Sequence, residues 1–131
     1  MHSNPTTTAR TALLLIAHGS RRAEANEDLV HLAAAIRERQ QYAFVQTAFL
    51  ELAEPTIADG GRICVEQGAH LVILLPYFLA PGVHARDDMA TARNELAERF
   101  PNVDFQIAEP LGRHPLLVDI VLERAAESQM G

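Results

Sequence analysis

The sequence predicts an α/β domain, a four-stranded parallel sheet with helices on both faces. Three observations predict it. Four short runs of strand character, at 13–17, 42–50, 71–76 and 103–107, are each followed by a helical pattern. Strand–helix repeats of this kind, joined by right-handed crossovers, wind into a parallel sheet. The first and third runs, LLLIA and LVILLP, are continuously apolar, as strands covered on both faces must be. At 131 residues the chain has room for one core and one domain. Residues 1–10 read as a flexible tail, in which His2 has no role, and 11–131 as the domain.

Composition removes several functions before any motif is considered. No apolar run approaches the roughly 18 residues of a membrane span. The short run after Arg10 leads straight into a charged helical pattern, which favours a strand over a signal peptide. Cys64 is the only cysteine, so an intrachain disulfide and a thiolate cluster from one chain are both excluded. Cytoplasmic location is therefore expected. A formal net charge of −6 argues against nucleic-acid binding. All 11 basic residues are arginine, which rules out Schiff-base and P-loop lysine chemistry and suits fork-like recognition of carboxylates.

Each element has its own warrant. After the first strand, Ser20 is an N-cap candidate for a helix reaching about Gln40, with Ala25, Leu29, Leu32, Ala33 and Ile36 on one face. Tyr42–Leu50 is rich in β-branched and aromatic residues and reads as the second strand. Pro55 suits the first turn of the next helix, which runs to about Gln67. Gly60 and Gly61 inside it either weaken it or mark close packing on the sheet. Gly68 closes that helix, and Leu71–Pro76 forms a third buried strand. An apolar loop, Tyr77 to His84, follows. Asp87 and Asp88 then sit where acids favour a helix N-terminus, and Met89, Ala92, Leu96 and Phe100 form that helix's apolar face. Val103, Phe105 and Ile107 alternate with polar residues as in an edge strand. The last helix, about Arg113 to Ser128, is expected to bury Leu116, Leu117, Ile120 and Val121.

In such a sheet all strands end at one rim, and that rim is where ligands bind. His18 arrives there after the first strand, Glu51 after the second, and His84 on the loop after the third. Each alone has a plain reading: a capping or surface histidine, or an acid flanking a helix. Together they form a His–His–Glu set with open positions, able to hold a divalent Co, Fe, Ni or Zn ion without saturating it. His114 and Glu109 either approach this rim or flank the last helix. Strand-His-Gly also opens the histidine phosphatases, but Ala17 stands where their arginine would precede the histidine.

The segments IAHGSRR, FLELAEPTI and PYFLAPGVHARDD, in this order and spacing, resemble the small CbiX/SirB-type sirohydrochlorin chelatases of the class II chelatase superfamily. The resemblance covers about residues 11–125. It implies a chelatase-like fold equivalent to half of a two-domain class II enzyme. It further implies a lyase that inserts Co²⁺ or Fe²⁺ into sirohydrochlorin without ATP, in cobalamin or sirohaem biosynthesis. His18 and His84 match the family's two active-site histidines, and Glu51 matches the acid of its FLE motif. These three would be both catalytic groups and ligands of the metal, which is a substrate. Ni²⁺ is admissible as well, and no organic cofactor is implied. Ser20, Arg21, Tyr77, Phe78 and Leu79 are expected to seat the tetrapyrrole, with Arg22 and Arg86 as further clamps for its carboxylates. A homodimer with an interfacial cleft is expected, with no nucleic-acid or membrane partner. No histidine-rich tail or cysteine cluster is present to supply a metal store or Fe–S centre. A non-catalytic metal or tetrapyrrole carrier would use the same pocket.

Overall fold

The computed structural model describes residues 10–130. The expected tail and His2 lie outside these residues, except for Arg10. That residue belongs to the domain, because its carbonyl accepts from the His70 amide at 2.8 Å.

The elements are β1 (Thr11–Ala17), α1 (Ala23–Glu38), β2 (Phe44–Phe49), α2 (Ile57–Glu66), β3 (Leu71–Pro76), α3 (Val83–Arg99), β4 (Asp104–Ile107) and α4 (Leu116–Met130). The four strands form one parallel sheet in the order β2-β1-β3-β4. β1 is central, and its residues show why a continuous apolar run was needed. Ala12, Leu14 and Ile16 face a core shared with Ile57 and Cys64 of α2 and with Met89 and Leu96 of α3. Leu13 and Leu15 face the other way, onto Leu29 and Ala33 of α1. Helices therefore lie on both faces, as expected.

Several boundaries differ, each for a local reason. α1 starts at Ala23, not beside Ser20. Its N-cap is Arg22, which makes no side-chain cap bond, so the Ser20 capping role is corrected. Ala25 is exposed because the first turn overhangs the rim, while Leu29 and Ala33 carry the buried face. α2 is capped by Thr56, whose hydroxyl accepts from the Asp59 amide at 3.2 Å, and Pro55 precedes that cap. Gly60 and Gly61 are both buried; α2 packs on the sheet through Gly60 and on α3 through Gly61. A Cβ on Gly60 would stand 3.0 Å from the Ala48 Cβ, and one on Gly61 would stand 2.6 Å from a Leu96 methyl. α3 begins four residues earlier than the acids suggested. Gly82 is its N-cap, so His84 lies in its first turn and Asp87 and Asp88 fall beyond that turn.

The largest departures are at β3 and α4. Val72 and Leu74 are buried, but Leu71, Ile73 and Leu75, on the α1 side of the sheet, are only half-buried because α1 covers β1 and β2 alone. β3 is thus covered on one face, not two. α4 buries none of its residues, so the expected burial of Leu116, Leu117, Ile120 and Val121 is overturned. It runs off the rim and makes no substantial contact with any strand or other helix. Among the described residues no helix is long and apolar enough to cross a membrane.

Candidate active site

The C-terminal end of β1 is stitched to both neighbours. The Leu50 amide donates to the Ala17 carbonyl and the Glu51 amide to the His18 carbonyl, each at 3.0 Å. On the other side the Tyr77 amide donates to the Ile16 carbonyl at 2.7 Å. These bonds carry the ladder one or two residues past the strands, so His18 and Glu51 leave the sheet side by side on fixed backbone. Gly19, at φ +96°, makes this approach possible, since a Cβ there would run into the Glu51 carbonyl oxygen.

The His18 side chain is exposed but not free to wander. Its ring stacks on that of Phe78, with centroids 4.3 Å apart and planes 25° from parallel. Phe78 is buried, so it acts as a platform beneath the imidazole and not as an open wall. Stacking holds one face of the ring, and neither ring nitrogen has a hydrogen-bond partner among the described residues. Whichever nitrogen lacks the proton in the neutral ring can therefore accept a proton or bind a metal ion. Phe78 is held in turn by its carbonyl, which accepts from the Leu111 amide at 2.9 Å.

Ser20 shapes this loop. Its amide donates to Asn26 Oδ1 at 3.0 Å, its carbonyl accepts from Asn26 Nδ2 at 2.8 Å, and its hydroxyl accepts from the Arg22 amide at 3.1 Å. Asn26, which sequence reasoning missed, clamps the His18–Ser20 turn onto α1. An asparagine within a helical pattern gave no signal of that role. Arg21 and Arg22 are exposed at the same edge and form no ion pair among the described residues.

His84 stands in the first turn of α3, on the connection leaving β3, the strand next to β1. It is exposed, as is Glu51. Among the described residues no three His, Cys, Asp or Glu side chains converge closely enough to hold a metal ion. The structure bonds the backbones of His18 and Glu51 directly, and it places His84 on the connection after the neighbouring strand β3. The rim loops also expose Leu52, Tyr77, Leu79 and Val83, a group of large apolar side chains around the histidines. A pocket of about 390 Å³ opens on the other side of the Phe78 segment, lined by Phe78, Arg86, Met89, Ile107 and Glu109. Neither His18 nor His84 lines it. His114 flanks the last helix, with its Nδ1 accepting from the Leu116 amide at 3.2 Å.

A parallel sheet that presents imidazoles and exposed apolar side chains at its C-terminal rim, with no lysine for a phosphate loop, defines a chelatase-like α/β domain. The cobalt complex of the sirohydrochlorin chelatase SirB from Bacillus subtilis subspecies spizizenii superposes with a TM-score of 0.83 at 29% identity, covering 90% of this chain and 50% of that one. The chain belongs to the CbiX family, whose sequence profile matches residues 12–128. It is 39% identical over 112 residues to the chloroplastic sirohydrochlorin ferrochelatase of Arabidopsis thaliana, covering 86% of this chain and 50% of that protein. It is 31% identical over 138 aligned positions to the sirohydrochlorin cobaltochelatase of Methanocaldococcus jannaschii, covering 87% of this chain and 96% of that protein. The chain thus spans about half the length of the Arabidopsis and Bacillus proteins and nearly all of the archaeal one.

Proposed function

We propose that this chain is a sirohydrochlorin chelatase, inserting Co²⁺ or Fe²⁺ into the macrocycle without ATP or an organic cofactor, on a route to cobalamin or sirohaem. The observation that carries the reading is His18, an imidazole fixed at the end of the central strand by stacking on Phe78, with neither nitrogen hydrogen-bonded among the described residues. Family membership and the names of the relatives support the substrate and the two metals. Ni²⁺ is a further acceptable ion on the chemistry of imidazole donors.

Metallation needs two pyrrole N–H protons to leave while a partly dehydrated ion enters. A neutral imidazole can do either task near neutral pH, as proton acceptor or as transient ligand. His18 is assigned both. Glu51, whose backbone is bonded to that of His18, takes the second proton or steadies the ion. His84 faces the same rim from α3 and completes the set of donors. Tyr77 and Leu79 provide apolar surface for a flat ring, and Arg21, Arg22 and Arg86 pair with its carboxylates. Ser20 acts through the shape of the His18 loop. The working unit is a homodimer whose cleft lies between two such rims. The cytoplasm is its place of work, in keeping with a lone buried thiol.

The test is turnover. Protein mixed with sirohydrochlorin and Co²⁺ or Fe²⁺ is followed by the macrocycle's absorbance spectrum. A rate well above the spontaneous one is expected, falling about 10²–10⁴-fold in His18→Ala, the usual worth of a general base. A rate equal to the spontaneous one, with the macrocycle still bound, would make the protein a carrier.

A further inference from the structure

Resting on the chelatase reading above, we infer that Asn26 is a positioning residue for the reaction. Its side-chain amide fixes the Gly19–Ser20 peptide, and through Gly19 it sets where the His18 imidazole stands relative to Glu51.

Gly19 is the loose point of the loop. The peptide plane before it is held from the β2 side, since the His18 carbonyl accepts from the Glu51 amide at 3.0 Å. The plane after it belongs to no strand pairing. Glycine populates negative φ as readily as positive, so one fastened plane does not keep Gly19 at +96°. The conformation matters, because the Glu51 carbonyl oxygen lies where a Gly19 Cβ would stand. Rotation at Gly19 changes the angle between the two planes. Either the bond from Glu51 to His18 or the placing of Ser20 and Arg21 must then give.

Asn26 supplies the second fastening. Its Oδ1 accepts from the Ser20 amide at 3.0 Å, and its Nδ2 donates to the Ser20 carbonyl at 2.8 Å. One side-chain amide thus satisfies both backbone groups of one residue, as a neighbouring strand would. The N–H and C=O of a trans peptide point opposite ways. The Ser20 N–H on Asn26 therefore turns the Gly19 carbonyl away from Asn26, and a flipped plane would set that carbonyl against Oδ1. An aspartate would put an acceptor against the Ser20 carbonyl, and an alanine would offer neither group. The Ser20 hydroxyl accepts in turn from the Arg22 amide at 3.1 Å, which carries the constraint on to the exposed Arg21 and Arg22.

Asn26 can hold a loop because it is itself held. It lies one turn before Leu29 and two before Ala33, on the side of α1 that packs against the sheet. Those two residues are 1% and 0% exposed. The bonds to Ser20 are not a helix cap, since the N-cap is Arg22 and the groups they satisfy belong to the loop. His18 is restrained from three directions: by Glu51 at its carbonyl, by Phe78 beneath its ring, and by Asn26 beyond Gly19. A group that accepts a proton and handles an ion needs that restraint. Tyr77, Leu79 and Arg86, which hold the macrocycle in the reading above, sit after β3 and not on this loop. Loss of Asn26 should therefore slow the reaction more than it weakens binding.

Asn26→Ala is the test, with Glu27→Ala, an exposed neighbour on the same helix, as control. Alanine is the better helix former, so α1 is not weakened by the change. We expect kcat for metallation of sirohydrochlorin to fall about 10–100-fold, the usual cost of losing a group that orients a metal-handling histidine. KM for the macrocycle should change by less than about threefold. Asn26→Asp, which keeps one of the two bonds, should also be slow, and Glu27→Ala should match the wild type. A second measurement needs no turnover. The Phe78 ring should shift the His18 ring protons upfield in the NMR spectrum, with His18→Ala giving the assignment. In Asn26→Ala at the same pH they should move toward the position of an exposed histidine. An unchanged kcat per folded molecule in Asn26→Ala overturns the proposal, as does an Asn26→Asp protein as fast as the wild type. An unchanged His18 shift overturns it as well. A wild type that fails to metallate sirohydrochlorin overturns the chelatase reading instead, and the His18 shift then decides on its own whether Asn26 positions the ring.

Discussion

Gly19 shows how much of the site rests on a single missing side chain. Its φ of +96° and the Glu51 carbonyl packed against it leave room for hydrogen alone. Gly19→Ala must therefore push the β1 loop away from the β2 loop and separate His18 from Glu51. A loss of about 1–3 kcal/mol in stability is expected from the strained backbone, together with a fall in metallation rate larger than the folding loss explains. Urea melts and initial rates on the folded fraction would separate the two effects. Cys64 is a different kind of residue, structural and inert. Burial pushes its thiol from 9.0 up to about 12, with a backbone hydrogen bond pulling slightly the other way. Between these values the unfolded chain has released the proton and the native chain has kept it. The thiol's contribution is thus fully present below pH 9 and is lost as pH rises toward 12. Relative to Cys64→Ala, the wild type should lose on the order of 2 kcal/mol between pH 8 and 10.5. Denaturant midpoints at the two pH values would show it, and equal pH slopes would contradict it.

At the scale of elements, what the chain announced and what it concealed have distinct physical causes. β1 was legible because LLLIA is apolar on both sides of the pleat, and only a central strand needs that. α2 was legible despite two glycines, since Thr56 caps it and Gly68, at φ +109°, ends it. The place of the chemistry was legible too. A parallel sheet sends its strand ends to one rim, so His18 and Glu51 had to arrive together. The platform beneath His18 was not legible, because a phenylalanine in an apolar loop looks the same whether it faces a ligand or a histidine. The Asn26 clamp was hidden for a similar reason. α4 misled because the apolar residues between Leu116 and Leu122 predict a covered helix, whereas none of them is buried among the described residues. The contact between helices α2 and α3 can be tested at Gly61. Helix propensity alone would favour alanine there by about 1 kcal/mol. The Leu96 methyl 2.6 Å from the added Cβ reverses that, so Gly61→Ala should destabilise by about 1–3 kcal/mol through overpacking. Gly61→Ala combined with Leu96→Ala should recover part of the loss, a coupling that chemical denaturation of the two single variants and the double variant would measure.

The molecule as a whole is a domain with one finished face and one unfinished one. On the side of α2 and α3, the core is closed from Ala48 to Phe105. On the side of α1 it spans β1 and β2, and at β3 it thins to the half-buried Ile73 and Leu75. The same rim that carries His18 also sends out α4, and the bond from Leu111 to Phe78 ties the helix connection to the platform under the imidazole. The helix connection and the site geometry therefore share a joint. If a second copy covers the open face, folding and association are one equilibrium, and each tenfold rise in protein concentration adds about 1.4 kcal/mol to the apparent stability of the pair. With the unfolding enthalpy usual for two chains of this length, that corresponds to a rise in Tm of roughly 2–4 °C per tenfold. Thermal melts from micromolar to hundreds of micromolar protein would register it. A wild-type Tm that stays constant across that range would mean that the domain is stable with its β3 face and last helix bare.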